Sequence, residues 1–150
     1  METTLLYDQL KSALANTQTL QEAEEILQKE IEKVSHNTIG FVVGKVTPSG
    51  NQTKESNLLL LEKRTKEIAE KELSKGIVVF SSSVIPKFIE DSTEIDMFYT
   101  FWEHTVEKYA QILYTTPGYE SSKGATNEIT LARKMGKEVK SYEEVIGHKS

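Results

Sequence analysis

Apolar residues near the start of the chain recur at helical spacing. Leu5, Leu6, Leu10, Ala13 and Leu14 fall on one side of a helix predicted over residues 3–15. The polar run Asn16-Thr17-Gln18-Thr19 breaks that stripe. Thr19 and Glu22 then have the spacing of a capping box, in which each side chain satisfies a backbone N–H of the other residue. Behind the cap, Leu20, Ala23, Leu27, Ile31 and Val34 mark one face of a second helix. Both helices carry charge on the opposite face. Residues 1–36 therefore read as an amphipathic hairpin that docks on the rest of the chain or on a second subunit.

From residue 37 the pattern alternates between short apolar runs and longer helical stretches. Thr38 to Val46 is predicted as a strand, and its near-continuous apolar run Ile39 to Val43 suits burial on both faces. A polar loop with Pro48 and Gly50 leads to a helix from about Asn57 to Ser74, with Leu58, Leu61, Ile68 and Leu73 inward and Lys75-Gly76 as its stop. Ile77 to Phe80 is the second strand. A loop through Pro86 and Asp91-Ser92 precedes a helix over Thr93 to Lys108, whose inner face is Ile95, Phe98, Tyr99, Trp102 and Val106. Gln111 to Thr115 is the third strand. A helix over residues 124–135 stops at Gly136, a short strand covers 137–140, and Ser141 with Glu144 caps a terminal turn.

Strands separated by helices imply βαβ crossovers, and these imply parallel pairing. The expected fold is α/β: a flavodoxin-like or Rossmann-like open parallel sheet of about four or five strands, with helices on both faces and the N-terminal hairpin added. Residues 37–150 form the α/β domain in this reading. Ligands of such sheets bind beyond the carboxyl ends of the strands. The loops there are 44–56, 81–92 and 116–123, all rich in Gly, Ser, Thr, Asn and Pro.

Composition narrows the function. The chain has 150 residues and a net charge of -5 with both signs interspersed, so no basic footprint for nucleic acid is present. No cysteine is available for a disulfide or a thiolate site. No apolar run approaches the roughly 20 residues of a membrane span, and the start lacks the pattern of a secretory signal. The expectation is a soluble, cytoplasmic protein. His36, His104 and His148 lie far apart in sequence, and no metal-ligand spacing or Gly-rich phosphate fingerprint occurs. No metal and no cofactor are expected.

The segment Tyr114 to Val139 holds the candidate chemistry. A strand enters a Pro-Gly-Ser-Lys loop, a helix opens at Gly124-Ala125, and Glu128 lies close behind. Free N–H groups at a helix start favour an anion or a sugar oxygen, and the dipole there favours an ionised carboxylate. Gly118 and Gly124 admit close backbone approach, and Ser121, Ser122 and Lys123 add donors. An ionised carboxylate beside such a pocket suits attack on an electron-poor carbon.

This segment resembles the signature of the nucleoside 2-deoxyribosyltransferase-like superfamily, which includes base-exchanging deoxyribosyltransferases and nucleoside 5′-monophosphate N-glycosidases. The shared features are Ile112-Leu113, Pro117-Gly118-Tyr119, Ser122, Gly124-Ala125, Glu128, Ala132, Gly136 and Val139. The resemblance covers about residues 38–146 and is strongest in the last third. It implies that Glu128 is the nucleophile toward C1′ of a nucleoside or nucleotide. It implies that Ser122 donates to a 5′-phosphate, and that Gly44, Lys45, Ser81, Gly118, Tyr119, Gly124 and Ala125 line the substrate site. A second acid would assist the leaving base. Asp96 is nearer the expected ligand end, whereas Glu103 fits the family spacing, and both remain candidates. The resemblance further implies a homo-oligomer, because members complete the pocket with a neighbour's residue. Two alternatives stand beside it: a non-catalytic nucleotide sensor of the same fold, and an NAD-type glycohydrolase.

Overall fold

The computed structural model describes residues 5–44, 53–86, 89, 91 and 93–147, without the side chain of Ile95. Lys45, Val46, Pro48, Gly50, Ser92 and His148, all named above, lie outside them. The elements in chain order are α1 (Leu6–Leu14), α2 (Leu20–Glu32), β1 (Thr38–Val43), α3 (Lys54–Glu72), β2 (Ile77–Ser81), α4 (Ile95–Tyr109), β3 (Ile112–Thr115), α5 (Lys123–Lys134), β4 (Glu138–Ser141) and α6 (Tyr142–Ile146).

The four strands form one parallel sheet in the order β2-β1-β3-β4. The α/β open-sheet fold expected from the alternation is therefore the fold observed. β1 sits in the middle, pairing Phe41 with Phe80 of β2 and Val42 with Tyr114 of β3. Its apolar run fits this place, since Ile39, Phe41 and Val43 enter one core layer and Val42 the other. Gly40 is required on the second face, where a Cβ would lie 2.6 Å from the Tyr114 ring. α3 and α6 cover that face, while α4 and α5 cover the first.

The N-terminal hairpin packs within its own chain. Leu6, Tyr7, Leu10 and Leu14 of α1 and Ala23, Leu27 and Ile31 of α2 are buried in the same core layer as Phe41, Phe80 and Trp102. The stripes thus need no second subunit to cover them, and that reason for expecting an oligomer falls away. Thr19 caps α2 by accepting from the Glu22 N–H at 3.1 Å. No helix among the described residues is long and apolar enough to cross a membrane.

α3 starts a turn earlier than its apolar spacing suggests. Thr53 accepts from the Ser56 N–H at 3.0 Å, and Ser56 accepts from the Thr53 N–H at 3.1 Å. Serine in the third position completes the box that glutamate or glutamine more often fills. Gly76, at φ 77°, ends the helix where Lys75-Gly76 predicts the stop.

Candidate functional site

The strand order reverses between β1 and β3, because β2 lies on one side of β1 and β3 on the other. A crevice opens at such a point, outside the carboxyl ends of the two strands. Here the ends are tied together, with the Thr116 hydroxyl donating to the Val43 carbonyl at 2.9 Å. Gly44 fits between them only without a side chain, since a Cβ would meet Leu61 at 2.8 Å and Thr116 Oγ1 at 2.9 Å.

The chain leaves β3 through a type II turn. Pro117 fixes the first corner, Gly118 takes φ 86° at the second, and the Tyr119 N–H closes on the Thr116 carbonyl at 3.1 Å. A short 3-10 turn over Tyr119–Ser121 delivers Ser122 as the N-cap of α5. The Ser122 hydroxyl accepts from the Ala125 N–H at 3.3 Å, and its own proton finds no acceptor among the described residues. Tyr119 packs partly buried against the core, and Ala125 is buried within it. The Ala125 N–H is engaged by the cap, so this residue shapes the site rather than presenting a group to it.

Gly124 has a different use from the one its place in the loop suggests. Its open side is filled by Tyr99 of α4, and a Cβ there would lie 2.8 Å from Tyr99 Cε1. α4 and α5 both return antiparallel to the sheet, so they run in the same direction side by side. One turn beyond Tyr99 on α4 is Glu103, and one turn beyond Gly124 on α5 is Glu128. The Tyr99–Gly124 contact thereby sets the two acids on neighbouring rungs of one interface.

Glu128 is 8% exposed and has no hydrogen bond or ion pair among the described residues. Burial, and after it the charge of Glu103, push its carboxyl up from 4.5 to about 8. The expectation of an ionised group at a helix start is corrected here. α5 begins at Lys123, so Glu128 stands in the second turn, where the dipole has faded and desolvation dominates. Glu103 is half-buried. Asp96 is exposed and lines a separate open groove with Met97, Thr100 and His104, facing Leu20 and Glu24 of α2. The structure thus brings Glu103, not Asp96, up to Glu128.

Ser81 ends β2 fully buried. Its hydroxyl lies 2.9 Å from that of Thr65 and 2.8 Å from that of Ser83, which in turn is 2.8 Å from the Tyr7 hydroxyl. This chain of hydroxyls stitches α1 and α3 to the end of β2. Ser81 therefore holds the scaffold and has no hydroxyl left facing a ligand. Arg64 and Asn57 of α3, by contrast, line a cavity at the strand reversal with Gly44, Thr116, Gly118 and Ser121. Sequence reading assigned no role to Arg64. Its only signal was a lone arginine in a lysine-rich helix.

The family model described as "Domain of unknown function (DUF4406)" matches residues 41–141. That span runs from the middle of β1 to the end of β4 and includes Arg64, Glu103, Ser122 and Glu128; it leaves out the hairpin. No curated protein and no solved structure matches the chain.

Proposed function

The chain belongs to the DUF4406 family, whose description gives no function, and we propose from its own residues that it cleaves or exchanges the N-glycosidic bond of a nucleoside or nucleoside 5′-monophosphate. The observation that carries the reading is Glu128: a buried carboxyl, without a partner among the described residues, beside a second carboxyl. Buried acids are ordinarily paired, and an unpaired one with a strongly shifted pKa is where chemistry is sought.

Two neighbouring carboxyls that hold one proton between them supply both groups the reaction needs. Before substrate binds, the proton resides on Glu128. Sugar hydroxyls donating to Glu128, and positive charge growing at C1′, stabilise its anion, and the proton passes to Glu103. The Glu128 oxygen then forms a bond to C1′ as the C1′–N bond breaks. The base leaves with that electron pair and takes a proton from Glu103. Water, or a second base, attacks C1′ of the glycosyl ester, regenerating the Glu128 carboxylate, while Glu103 accepts the nucleophile's proton. The Ser122 hydroxyl caps α5 and finds no acceptor for its own proton among the described residues; in this reading it donates that proton to substrate oxygen.

The neutral state of Glu128 also favours a second reading, in which the domain binds a nucleotide without turning it over. One experiment separates the two. The protein and Glu128→Ala are incubated with nucleosides, their 5′-monophosphates and NAD, and free base is measured. Release that Glu128→Ala abolishes supports the glycosidic reaction, and NAD as the sole substrate narrows it to glycohydrolysis. Binding without release, unchanged by the substitution, supports the sensor and removes Glu128 from the mechanism.

A further inference from the structure

The cavity at the strand reversal is small, about 100 Å³, and lies between α3 and the turn after β3. It is too small for a whole nucleoside, since pockets for drug-sized ligands begin at about 300 Å³. We propose that it is a phosphate-binding subsite whose cation is Arg64.

The argument starts from what Arg64 lacks. Its guanidinium carries five donors in a fixed fork. Among the described residues it has no ion pair and no hydrogen bond. The acids nearest on its own helix are engaged elsewhere: Glu62 pairs with Lys11, and Glu67 accepts from the Tyr142 hydroxyl at 2.8 Å. Lys66, Lys75 and Lys140 all have carboxylate partners. Arg64 instead lies against the face of the Tyr142 ring, 5.6 Å from its centre. That contact holds the guanidinium over the ring without using any of its N–H donors. The tyrosine that donates to Glu67 thus also holds Arg64.

The opposite wall supplies a backbone donor. The type II turn leaves the Gly118 N–H without an acceptor among the described residues. Among the described residues no side chain intrudes at Gly118, where an added Cβ would find nothing within 4 Å. Asn57, a buried carboxamide, also borders the space. Donors converging from a helix on one side and a turn on the other suit a tetrahedral oxyanion. A planar carboxylate would be satisfied by the arginine fork alone. The site lies at the switch in strand order, where open α/β sheets take their ligands.

The subsite stands apart from Glu128 chemistry, and its test is direct binding. Inorganic phosphate and acetate are titrated at matched ionic strength into the full chain and into Arg64→Gln, Arg64→Lys, Ser121→Asp and Glu128→Gln, by calorimetry and by thermal midpoint. Phosphate is expected to bind the wild type and Glu128→Gln equally. Arg64→Gln should weaken it roughly tenfold or more, the loss expected for a charged hydrogen bond. Arg64→Lys should fall between, keeping the charge but not the fork. Ser121→Asp puts a carboxylate into the cavity with Arg64 intact, and should also weaken phosphate binding. No phosphate binding by the wild type, equal binding of acetate, or full binding by Arg64→Gln and Ser121→Asp would each overturn the proposal. Phosphate binding without any base release would leave this subsite standing and remove only the glycosidic reading.

Discussion

Glu103 stands beside Glu128 across the α4–α5 interface, one helical turn past the point where Tyr99 covers Gly124. The pair costs stability in a pH-dependent way. Folding raises the Glu128 carboxyl from 4.5 to about 8, so the folded protein holds this proton more tightly than the unfolded chain does. The penalty is absent below about pH 4.5, grows as pH rises, and is complete above about pH 8. Glu128→Gln removes the charge and keeps the shape. It should stabilise the protein by on the order of a few kcal/mol at pH 9 and by little at pH 4.5. Urea unfolding at the two pH values measures the difference, and equal effects at both would place the carboxyl in a polar setting.

Glu103→Gln tests the coupling from the other side. Burial is the first cause of the Glu128 shift and Glu103 the second, so this substitution should lower the Glu128 pKa without restoring its ordinary value. The penalty at alkaline pH should then be smaller than in the wild type and complete at a lower pH. If base release is observed, its rate should fall as well, because the leaving base loses its acid; general acid–base groups contribute roughly 100-fold or more. A stability profile that does not move would separate the two carboxyls.

Gly124→Ala should destabilise, though nothing in the backbone angles forbids alanine there. The added methyl lies 2.8 Å from the Tyr99 ring, and overpacking of this kind costs about 1–3 kcal/mol. In a Tyr99→Ala background the clash is gone and only the helix preference for alanine remains, worth up to about 1 kcal/mol. The sign of the Gly124→Ala effect should therefore reverse between the two backgrounds. Thermal unfolding of the four proteins in the cycle reads this directly.

Much of the scaffold was legible because local rules and the global fold agree. The Ile39–Val43 run announced a strand buried on both faces, and β1 is the inner strand next to the switch. The caps at Thr19 and Ser141 were visible as spacings and both form, although Glu22 reaches back to the Gln18 N–H rather than to that of Thr19. What stayed hidden depends on neighbours distant in sequence. A helical pattern does not tell which way a charged residue on α3 points, so Arg64 passed unnoticed. The ionisation of Glu128 depends on burial and on Glu103 of α4, neither of which its own helix pattern reveals. Ser81 read as a loop serine because its partner Thr65 meets it only after α3 folds onto β2.

The hairpin and the sheet should unfold together. Leu6, Leu10, Leu14, Leu27 and Ile31 are each buried in the layer that includes Phe41 and Phe80. At about 1.5–3 kcal/mol for each such side chain, their burial matches a domain's whole net stability of about 5–15 kcal/mol. A chain starting at residue 37 should therefore fail to give a cooperative transition. A sharp calorimetric peak from that fragment would show that residues 37–150 are stable alone.

Glu72 gives the opposite pH dependence to Glu128, although both are buried glutamates. At 1% exposed, Glu72 accepts from the Tyr114 hydroxyl at 2.8 Å and pairs with Lys75 at 3.0 Å. Burial pulls its pKa up, but the Tyr114 hydroxyl, Lys75 and Lys140 outweigh it and hold the carboxyl below its ordinary 4.5. The stability it contributes is present above about pH 4.5 and is lost as pH falls through the lower folded value. Tyr114→Phe removes the hydrogen bond and leaves the carboxylate short of a partner. It should cost about 1–3 kcal/mol at pH 7, with a smaller cost at pH 3, where Glu72 is neutral in the unfolded chain. Urea midpoints of Tyr114→Phe and the wild type at pH 7 and pH 3 test this. A cost that does not shrink in acid would separate the Tyr114 hydroxyl from the ionisation of Glu72.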